Sequence, residues 1–239
     1  MLFFYVRHGD PIYNPDSLTP FGYRQAEAVG KMLSLYRIDD IYSSTSERAK
    51  LTAKPLSEII KKDVTLLDFA NEGYAWQELT CYSESMGRNA WLFHSPEVKE
   101  LFHTPELVAL GHRWYEHPAF SDASFEGKNY KLGMERIQKA SDEFFESLGY
   151  KRVSEGRYKV LSDNNRRIAM FAHQGFGLAF ISAILGIPYP MFATHFDIFT
   201  TGVTAIEFSN TDGYAYPKVV ELSSSAHLYK EGLPTRYTP

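Results

Sequence analysis

The sequence lacks most of the features that mark secreted, membrane-spanning or nucleic-acid-binding proteins. Cys81 is its single cysteine, which excludes an internal disulfide framework and favours a reducing compartment. No stretch approaches the roughly twenty apolar residues that a membrane-spanning helix needs, and no positively charged leader precedes the first apolar run. We therefore expect a cytoplasmic protein without a membrane partner.

The chain also lacks an excess of basic residues, internal repeats and low-complexity tracts. Its 25 Lys and Arg against 29 Asp and Glu give a net charge of −4, which argues against nucleic acid as a partner. An anionic ligand would need a local positive site. The length of 239 residues suits one domain, residues 1–239, that carries an insertion.

Three segments repeat one pattern, in which an apolar strand, a polar turn and a helix follow one another. Residues 2–6 form an apolar run that ends in Arg7-His8-Gly9. Residues 38–42 lead into Ser43-Ser44-Thr45-Ser46, whose hydroxyls are good N-caps for a helix over residues 47–60. Residues 168–172 end in His173-Gln174-Gly175, before an apolar helix over residues 176–185.

A further apolar run, residues 64–69, ends shortly before Glu72. The strand–helix alternation then stops, and residues 73–125 mix aromatic and charged side chains, with helices predicted at 96–102 and 105–114. A helix follows over 130–148, a strand over 157–161, and two closing strands over 203–208 and 218–222 around a turn at 210–213. The pattern predicts a three-layer α/β/α sandwich with a mostly parallel sheet and a helical cap insertion at about 73–125.

The polar residues at these strand ends suit phosphoryl chemistry. Ligands bind outside the carboxyl ends of parallel strands, so Arg7, His8, Arg48, Glu72 and His173 should meet at one edge of the sheet. Guanidinium groups match phosphate oxygens, a histidine can act as the nucleophile, and a carboxyl group can protonate a leaving oxygen.

The same residues stand in motifs that resemble the phosphoglycerate-mutase-like branch of the histidine phosphatase superfamily. Arg7-His8-Gly9 and Asn14 are similar to the family's Arg-His-Gly-Glu-Thr-x-x-Asn segment, and residues 18–26 to its Leu-Thr-x-x-Gly-x-x-Gln-Ala segment. Residues 41–53 resemble the segment of its second arginine, and Ala172-His173-Gln174-Gly175 that of its second histidine. Arg-His-Gly alone is weak evidence, whereas the ordered set of four is strong.

The resemblance implies a metal-independent, histidine acid phosphatase-like hydrolase of small phosphomonoesters, with phosphate as product and no cofactor. His8 would be the nucleophile, and Arg7, Arg48 and His173 would hold the phosphoryl group. Asn14 would lie near the phosphate or the leaving group, and Gln174 is expected to be structural or a minor pocket residue. For the proton donor Glu72 is favoured, with Asp68 and Glu78 as alternatives, because the chain has no clean copy of the family's acidic motif.

Other residues invite plainer interpretations. The cap histidines lack metal-ligand spacing and are expected to be solvated or to pack: His94, His103, His112 and His117. The aromatic residues of the cap are expected mainly in the core. A cysteine phosphatase is rejected because the arginine that Cys81 would need falls at Gly87, with Arg88 one place too far.

Two rival functions stay open. One is a phosphoglycerate mutase-type phosphotransferase, which residues 11–17 do not favour because they lack the residues that grip phosphoglycerate. The other is an inactive module that binds a phosphorylated ligand or a protein, which the presence of both histidines and both arginines disfavours. The sequence names neither the physiological substrate nor the oligomeric state.

Overall fold

The computed structural model describes residues 1–235. Its strands, in chain order, are β1 (Leu2–Arg7), β2 (Pro11–Tyr13), β3 (Asp16–Leu18), β4 (Asp40–Ser44), β5 (Val64–Leu67), β6 (Thr80–Ser83), β7 (Arg88–Trp91), β8 (Tyr150–Ser154), β9 (Arg157–Val160), β10 (Arg167–Ala172), β11 (Val203–Glu207), β12 (Asn210–Thr211), β13 (Tyr214–Ala215) and β14 (Lys218–Ser224). Its α-helices are α1 (Pro20–Ser34), α2 (Glu47–Ile60), α3 (Glu72–Glu78), α4 (Pro96–Phe102), α5 (Pro105–Leu110), α6 (Tyr130–Ser147), α7 (Gln174–Leu185), α8 (Tyr189–His195) and α9 (Ala226–Lys230).

A six-stranded sheet in the order β14-β11-β1-β10-β4-β5 forms the centre of the molecule. The strands β1, β10, β4 and β5 pair in parallel, and β11 is antiparallel to both of its neighbours. The predicted mostly parallel α/β fold is therefore confirmed.

Helices cover both faces of this sheet, and the side chains of β1 alternate between them. Phe4 and Val6 pack with residues of α1 and α2, whereas Phe3 and Tyr5 pack with residues of α6 and α7. Because successive side chains of a strand point to opposite faces, a strand buried on both faces must be apolar throughout. This explains the uninterrupted apolar run at the start of the sequence.

Two helices begin at residues that suit a helix start or lie close to a predicted one. Thr19 caps α1, its Oγ1 accepting a hydrogen bond from the Gly22 N–H at 3.0 Å, with Pro20 as the first helical residue. Helix α7 begins at Gln174, two residues before the predicted start, so Gln174 and Gly175 lie in its first turn.

The cap region contains more than the predicted helices. Strands β6 and β7 form an antiparallel hairpin within it, which the sequence analysis did not predict because each strand is only four residues long. The helix expected over 105–114 ends at Leu110, where Gly111 takes a positive φ of 55°, and a 3-10 segment continues to Glu116. That residues 73–125 act as a cap stays a prediction.

A second, four-stranded sheet in the order β12-β13-β9-β8 lies outside the central one. The predicted strand at 157–161 is present as β9 but pairs with β8 and β13. The predicted turn at 210–213 closes the short β12–β13 hairpin, which lies between β11 and β14 in the chain. Within residues 1–235, no helix is long and apolar enough to cross a membrane.

Candidate active site

The carboxyl ends of β1, β10, β4 and β5 bring the predicted site residues together. Arg7 is paired in register with Ala172, so His8 and His173 follow adjacent strand ends, and their ring centroids lie 5.2 Å apart. Arg48 stands in the first turn of α2, after β4, and Glu72 is the first residue of α3, after β5. Four separate segments thus converge on one position.

His8 is buried, and its hydrogen bonding defines its tautomer. Its Nδ1 lies 2.7 Å from the carbonyl oxygen of Gly9. A carbonyl oxygen only accepts, so Nδ1 carries the proton and, in the neutral ring, Nε2 keeps the free lone pair. Burial, with the charges of Arg7 and Arg48, holds the pKa of His8 well below 6.5, so the ring is neutral at neutral pH.

Gly9 allows the loop after β1 to approach α1 closely. A Cβ at Gly9 would lie 2.7 Å from the carbonyl oxygen of Gly22, a separation that side-chain carbons do not tolerate. The amide N–H of Gly9 donates to Thr52 Oγ1 at 2.9 Å. These contacts anchor the backbone that carries His8.

His173 is fully buried, and hydrogen bonds hold it at the Nε2 side of its ring and at its backbone, whereas Nδ1 has no hydrogen-bond partner within residues 1–235. Its Nε2 lies 2.8 Å from Ser44 Oγ and 3.1 Å from Ser46 Oγ, and its Nδ1 lies 3.5 Å from Glu72 Oε2. Its carbonyl oxygen accepts a hydrogen bond from Tyr5 OH at 2.6 Å. Burial, with the charges of the neighbouring site residues, holds the pKa of His173 well below 6.5.

Ser44, at the end of β4, and Ser46, just before α2, contact His173, whereas the sequence predicted that the serines here would cap α2. Ser46 occupies the N-cap position of α2, yet its side chain makes no capping hydrogen bond to the helix. Its hydroxyl and that of Ser44 contact His173 instead. The Ser46 hydroxyl thus makes a tertiary contact with the imidazole of His173 in place of a capping hydrogen bond within α2.

Glu72 lies between the Arg48 guanidinium group and the His173 imidazole. One carboxylate oxygen, Oε2, lies 3.1 Å from Arg48 Nη2, and the other accepts the amide N–H of Gly175 at 2.9 Å. The two alternatives for the proton donor lie elsewhere. Asp68 is exposed and accepts from Tyr74 OH at 3.1 Å, and Glu78 forms a bidentate ion pair with Arg136 at 2.6 and 2.7 Å.

Both arginines keep a buried donor without a partner. Arg7 donates from Nη1 to the Ile198 carbonyl at 2.7 Å, and Arg48 donates from Nη1 to Asp16 at 2.9 Å. The Nε atoms of Arg7 and Arg48 are buried without a hydrogen-bond acceptor among residues 1–235. Since buried donors are normally paired, this pattern favours an anionic ligand at the site.

The two remaining predicted residues lie at the margin of the cluster. Asn14 is exposed in the turn between β2 and β3, and the contacts of this hairpin with Arg48 come from Tyr13 and Asp16. Gln174 lines the cavity above the cluster, and its amide donates to Asp197. Asp16 was missed by the sequence analysis because its partner lies 32 residues away in the chain.

A cavity of about 570 Å³ opens above Arg7, Arg48 and Glu72. Its outer part is lined by residues of the cap region: Gly73, Trp76, Met86, Arg88, Asn89, Ala90, Trp91 and His94. His94 was expected only to pack or to be solvated, yet it lines this cavity, and burial lowers its pKa. Trp114, by contrast, is buried in the core as expected of the cap aromatics.

The cluster also has the composition of a metal site. His8, Glu72 and His173 each offer a ligand atom, and these atoms lie within 4.8 Å of one another. Two guanidinium groups border the same space, which favours an anion over a cation.

Comparison with known proteins yields one family and many similar folds. Residues 3–106 match the model of the histidine phosphatase superfamily (branch 1). No curated protein matches the sequence.

Similar solved structures include three phosphatases. The phosphoserine phosphatase of Entamoeba histolytica is 18% identical with a TM-score of 0.57, over 95% of this chain and 98% of its own. A mycobacterial glucosyl-3-phosphoglycerate phosphatase is 17% identical with a TM-score of 0.60, over 94% of this chain and 99% of its own. The alpha-ribazole phosphatase of Shigella flexneri is 18% identical with a TM-score of 0.59, over 94% and 96%.

At such identities the structural likeness demonstrates the fold. Residues 3–106 include Arg7, His8, Arg48 and Glu72, so the family match covers three of the four segments that build the cluster. His173 lies outside the matched range and reaches the site through the parallel pairing of β1 with β10. The sequence match and the shared fold together confirm the resemblance of this chain to the histidine phosphatase superfamily, with phosphoglycerate-mutase-like phosphatases among its structural neighbours.

Proposed function

We propose that the protein hydrolyses small phosphomonoesters through a phosphohistidine on His8. The observation that carries the proposal is the convergence of a neutral, buried His8 with His173, Glu72 and two arginines that keep unpaired buried donors. A neutral imidazole offers its Nε2 lone pair to phosphorus, and the guanidinium groups oppose the negative charge of the phosphoryl oxygens.

The reaction then has two balanced steps. In the first, His8 Nε2 bonds to phosphorus, the P–O bond to the alcohol breaks, and Glu72 delivers a proton to the leaving oxygen. In the second, water attacks phosphorus, Glu72 takes up the proton of that water, and the P–N bond breaks to release phosphate. Arg7, Arg48 and His173 hold the phosphoryl group throughout, with Asn14 and Gln174 as outer polar residues.

The primary experiment compares the wild-type protein with H8A on 4-nitrophenyl phosphate. Loss of the nucleophile should lower kcat by about a thousandfold or more, while circular dichroism shows an unchanged fold. H112A, which removes an exposed histidine of the cap region, is the matched control and should retain activity.

The intermediate itself is also measurable. Rapid denaturing quench with a ³²P-labelled substrate should trap an acid-labile, base-stable phosphate on the wild-type protein and none on H8A. Turnover by H8A, or turnover by the wild type without any trapped phosphate, would refute the mechanism.

Product analysis separates the rival functions. With 3-phosphoglycerate, free phosphate indicates a hydrolase, and an isomerised phosphoglycerate indicates a mutase-type phosphotransferase. Phosphate binding without turnover or a trapped intermediate would indicate an inactive binding module. Full activity after dialysis against EDTA is expected, because the proposed steps use no metal at His8, Glu72 and His173.

A further inference from the structure

The outer half of the cavity has its own chemistry, distinct from the cluster beneath it. Helix α3 contributes Trp76 to its lining, and strand β7 contributes Arg88 and Trp91, beyond Arg7 and Arg48. The volume of about 570 Å³ exceeds what a phosphoryl group alone occupies. The space therefore accommodates the alcohol portion of a substrate.

Two tryptophans form a rigid wall in this half. Trp91 is only 9% exposed and stands at an interplanar angle of 87° to Trp76, with ring centroids 5.0 Å apart. Its other neighbours are Phe93, stacked at 5.8 Å, and Gly175, whose lack of a side chain admits the indole ring. Trp76 is 40% exposed, so ring surface remains free for a ligand.

Arg88 contributes an unpaired positive charge. It is exposed at the start of β7, and its side chain makes neither an ion pair nor a hydrogen bond within residues 1–235. Glu72, which lines the same cavity, already has partners of its own, since it contacts Arg48 and accepts the amide N–H of Gly175. A single guanidinium balances one negative charge and matches the planar fork of a carboxylate.

We propose that this half of the cavity is a subsite for the alcohol portion of a phosphomonoester that carries both an aromatic ring and a carboxylate. The ring contacts the wall of Trp76 and Trp91, and the carboxylate pairs with Arg88. This inference rests on the proposed function only in assuming that the phosphoryl group lies at Arg7 and Arg48.

Binding of hydrolysis-resistant phosphonates tests the subsite without requiring turnover. Titration calorimetry would compare ethylphosphonate, benzylphosphonate and 4-carboxybenzylphosphonate. The wild type should bind the carboxylated ring about tenfold more tightly than the plain ring, since charge-assisted hydrogen bonds are the stronger kind. R88Q should reduce this ratio of Kd values to about one.

Two further variants make the result specific. R113Q removes an exposed arginine outside the cavity, one that pairs with Glu116, and should keep the wild-type ratio. W76L preserves an apolar side chain but removes the flat ring, and should cut the preference for benzylphosphonate over ethylphosphonate about fivefold.

The outcomes separate this inference from the proposed function. An unchanged carboxylate ratio in R88Q, an unchanged ring preference in W76L, or no phosphonate binding by the wild type would overturn the subsite. If the wild type hydrolyses 4-nitrophenyl phosphate but prefers neither the carboxylated ring nor the plain ring, the phosphatase proposal is retained and the subsite is refuted. Phosphonate binding with the expected ratios but no turnover of any phosphomonoester would refute the phosphatase proposal and retain the subsite.

Discussion

At the scale of single residues, the decisive feature is the hydrogen bond that orients His8. The Nδ1–H group donates to the Gly9 carbonyl oxygen, so Nε2 carries the lone pair that the proposed mechanism uses. His173 has a different environment, with two serine hydroxyls at Nε2 and Glu72 near Nδ1. Two buried imidazoles in one cluster thus have distinct surroundings, which suits distinct roles.

The protonation state of His8 can be measured directly. Its pKa lies well below 6.5 because of burial and the charges of Arg7 and Arg48, so the ring should stay neutral on lowering the pH from 8 to 6.5. Nitrogen-15 NMR of histidine-labelled protein should show a protonated Nδ1 and a bare Nε2, with the signal assigned by its loss in H8A. A bare Nδ1 or a charged ring at pH 7 would contradict the tautomer.

The role of Glu72 has a signature in the leaving group. E72Q should lower kcat/KM more for an alkyl phosphate than for 4-nitrophenyl phosphate, by about tenfold or more, because a poor leaving oxygen depends more on a proton donor. D68N is the matched control, since Asp68 is an exposed carboxylate outside the cluster. An equal loss on both substrates in E72Q would assign Glu72 to positioning Arg48 or His173 instead.

At the scale of elements, the β6–β7 hairpin and the start of α7 fit together through one glycine. A Cβ at Gly175 would lie 2.4 Å from the indole ring of Trp91. The absence of a side chain at Gly175 thus lets the hairpin pack closely against the turn that carries His173. The position of the cavity wall therefore depends on a residue of the central fold.

Substitution of Gly175 tests this fit. G175A should lower the free energy of unfolding by about 1–3 kcal/mol, since an added methyl group overpacks the contact. In the double variant with W91L, the loss should be smaller than the sum of the two single losses, as measured by urea unfolding. Strict additivity would mean that the two residues do not constrain one another.

At the scale of the whole molecule, buried neutral histidines connect stability to pH. Burial lowers the pKa of His227 to about 4, and the pKa values of His8 and His173 also lie well below 6.5. His227 lies outside the cluster, with its Nε2 3.0 Å from Thr201 Oγ1. Because these groups take up protons in the unfolded chain before they do so in the native state, acid favours unfolding.

The free energy of unfolding should therefore fall as the pH is lowered from 7.5 to 5. The loss of stability begins at about pH 6.5, the pKa of histidine in the unfolded chain. Below it, each such histidine lowers the free energy of unfolding by at most about 1.4 kcal/mol per pH unit, until the pH reaches its pKa in the folded state. H227Q should reduce this slope, as measured by urea unfolding at pH 7.5, 6.5 and 5.5. A slope equal to that of the wild type would show that His227 titrates alike in both states.

The sequence by itself determined the repeated strand–turn–helix pattern, the mostly parallel sheet and the placement of Arg7, His8, Arg48 and His173 at strand ends. These features depend on apolar periodicity, helix caps and turns, each of which involves residues that are close together in the sequence. The motifs supplied the family resemblance for the same reason, because each is a short contiguous segment.

Only the tertiary structure decided which carboxylate joins the cluster and what lines the cavity. Asp68, Glu72 and Glu78 lie within ten residues of each other, and contacts with Arg48, Gly175 and Arg136, far along the chain, separate them. The hairpin that presents Trp91 and Arg88 depends in the same way on Gly175, 84 residues after Trp91. Contacts between residues so far apart in the chain produce no local sequence pattern. Only the folded structure therefore shows that these residues lie near Arg7 and His8.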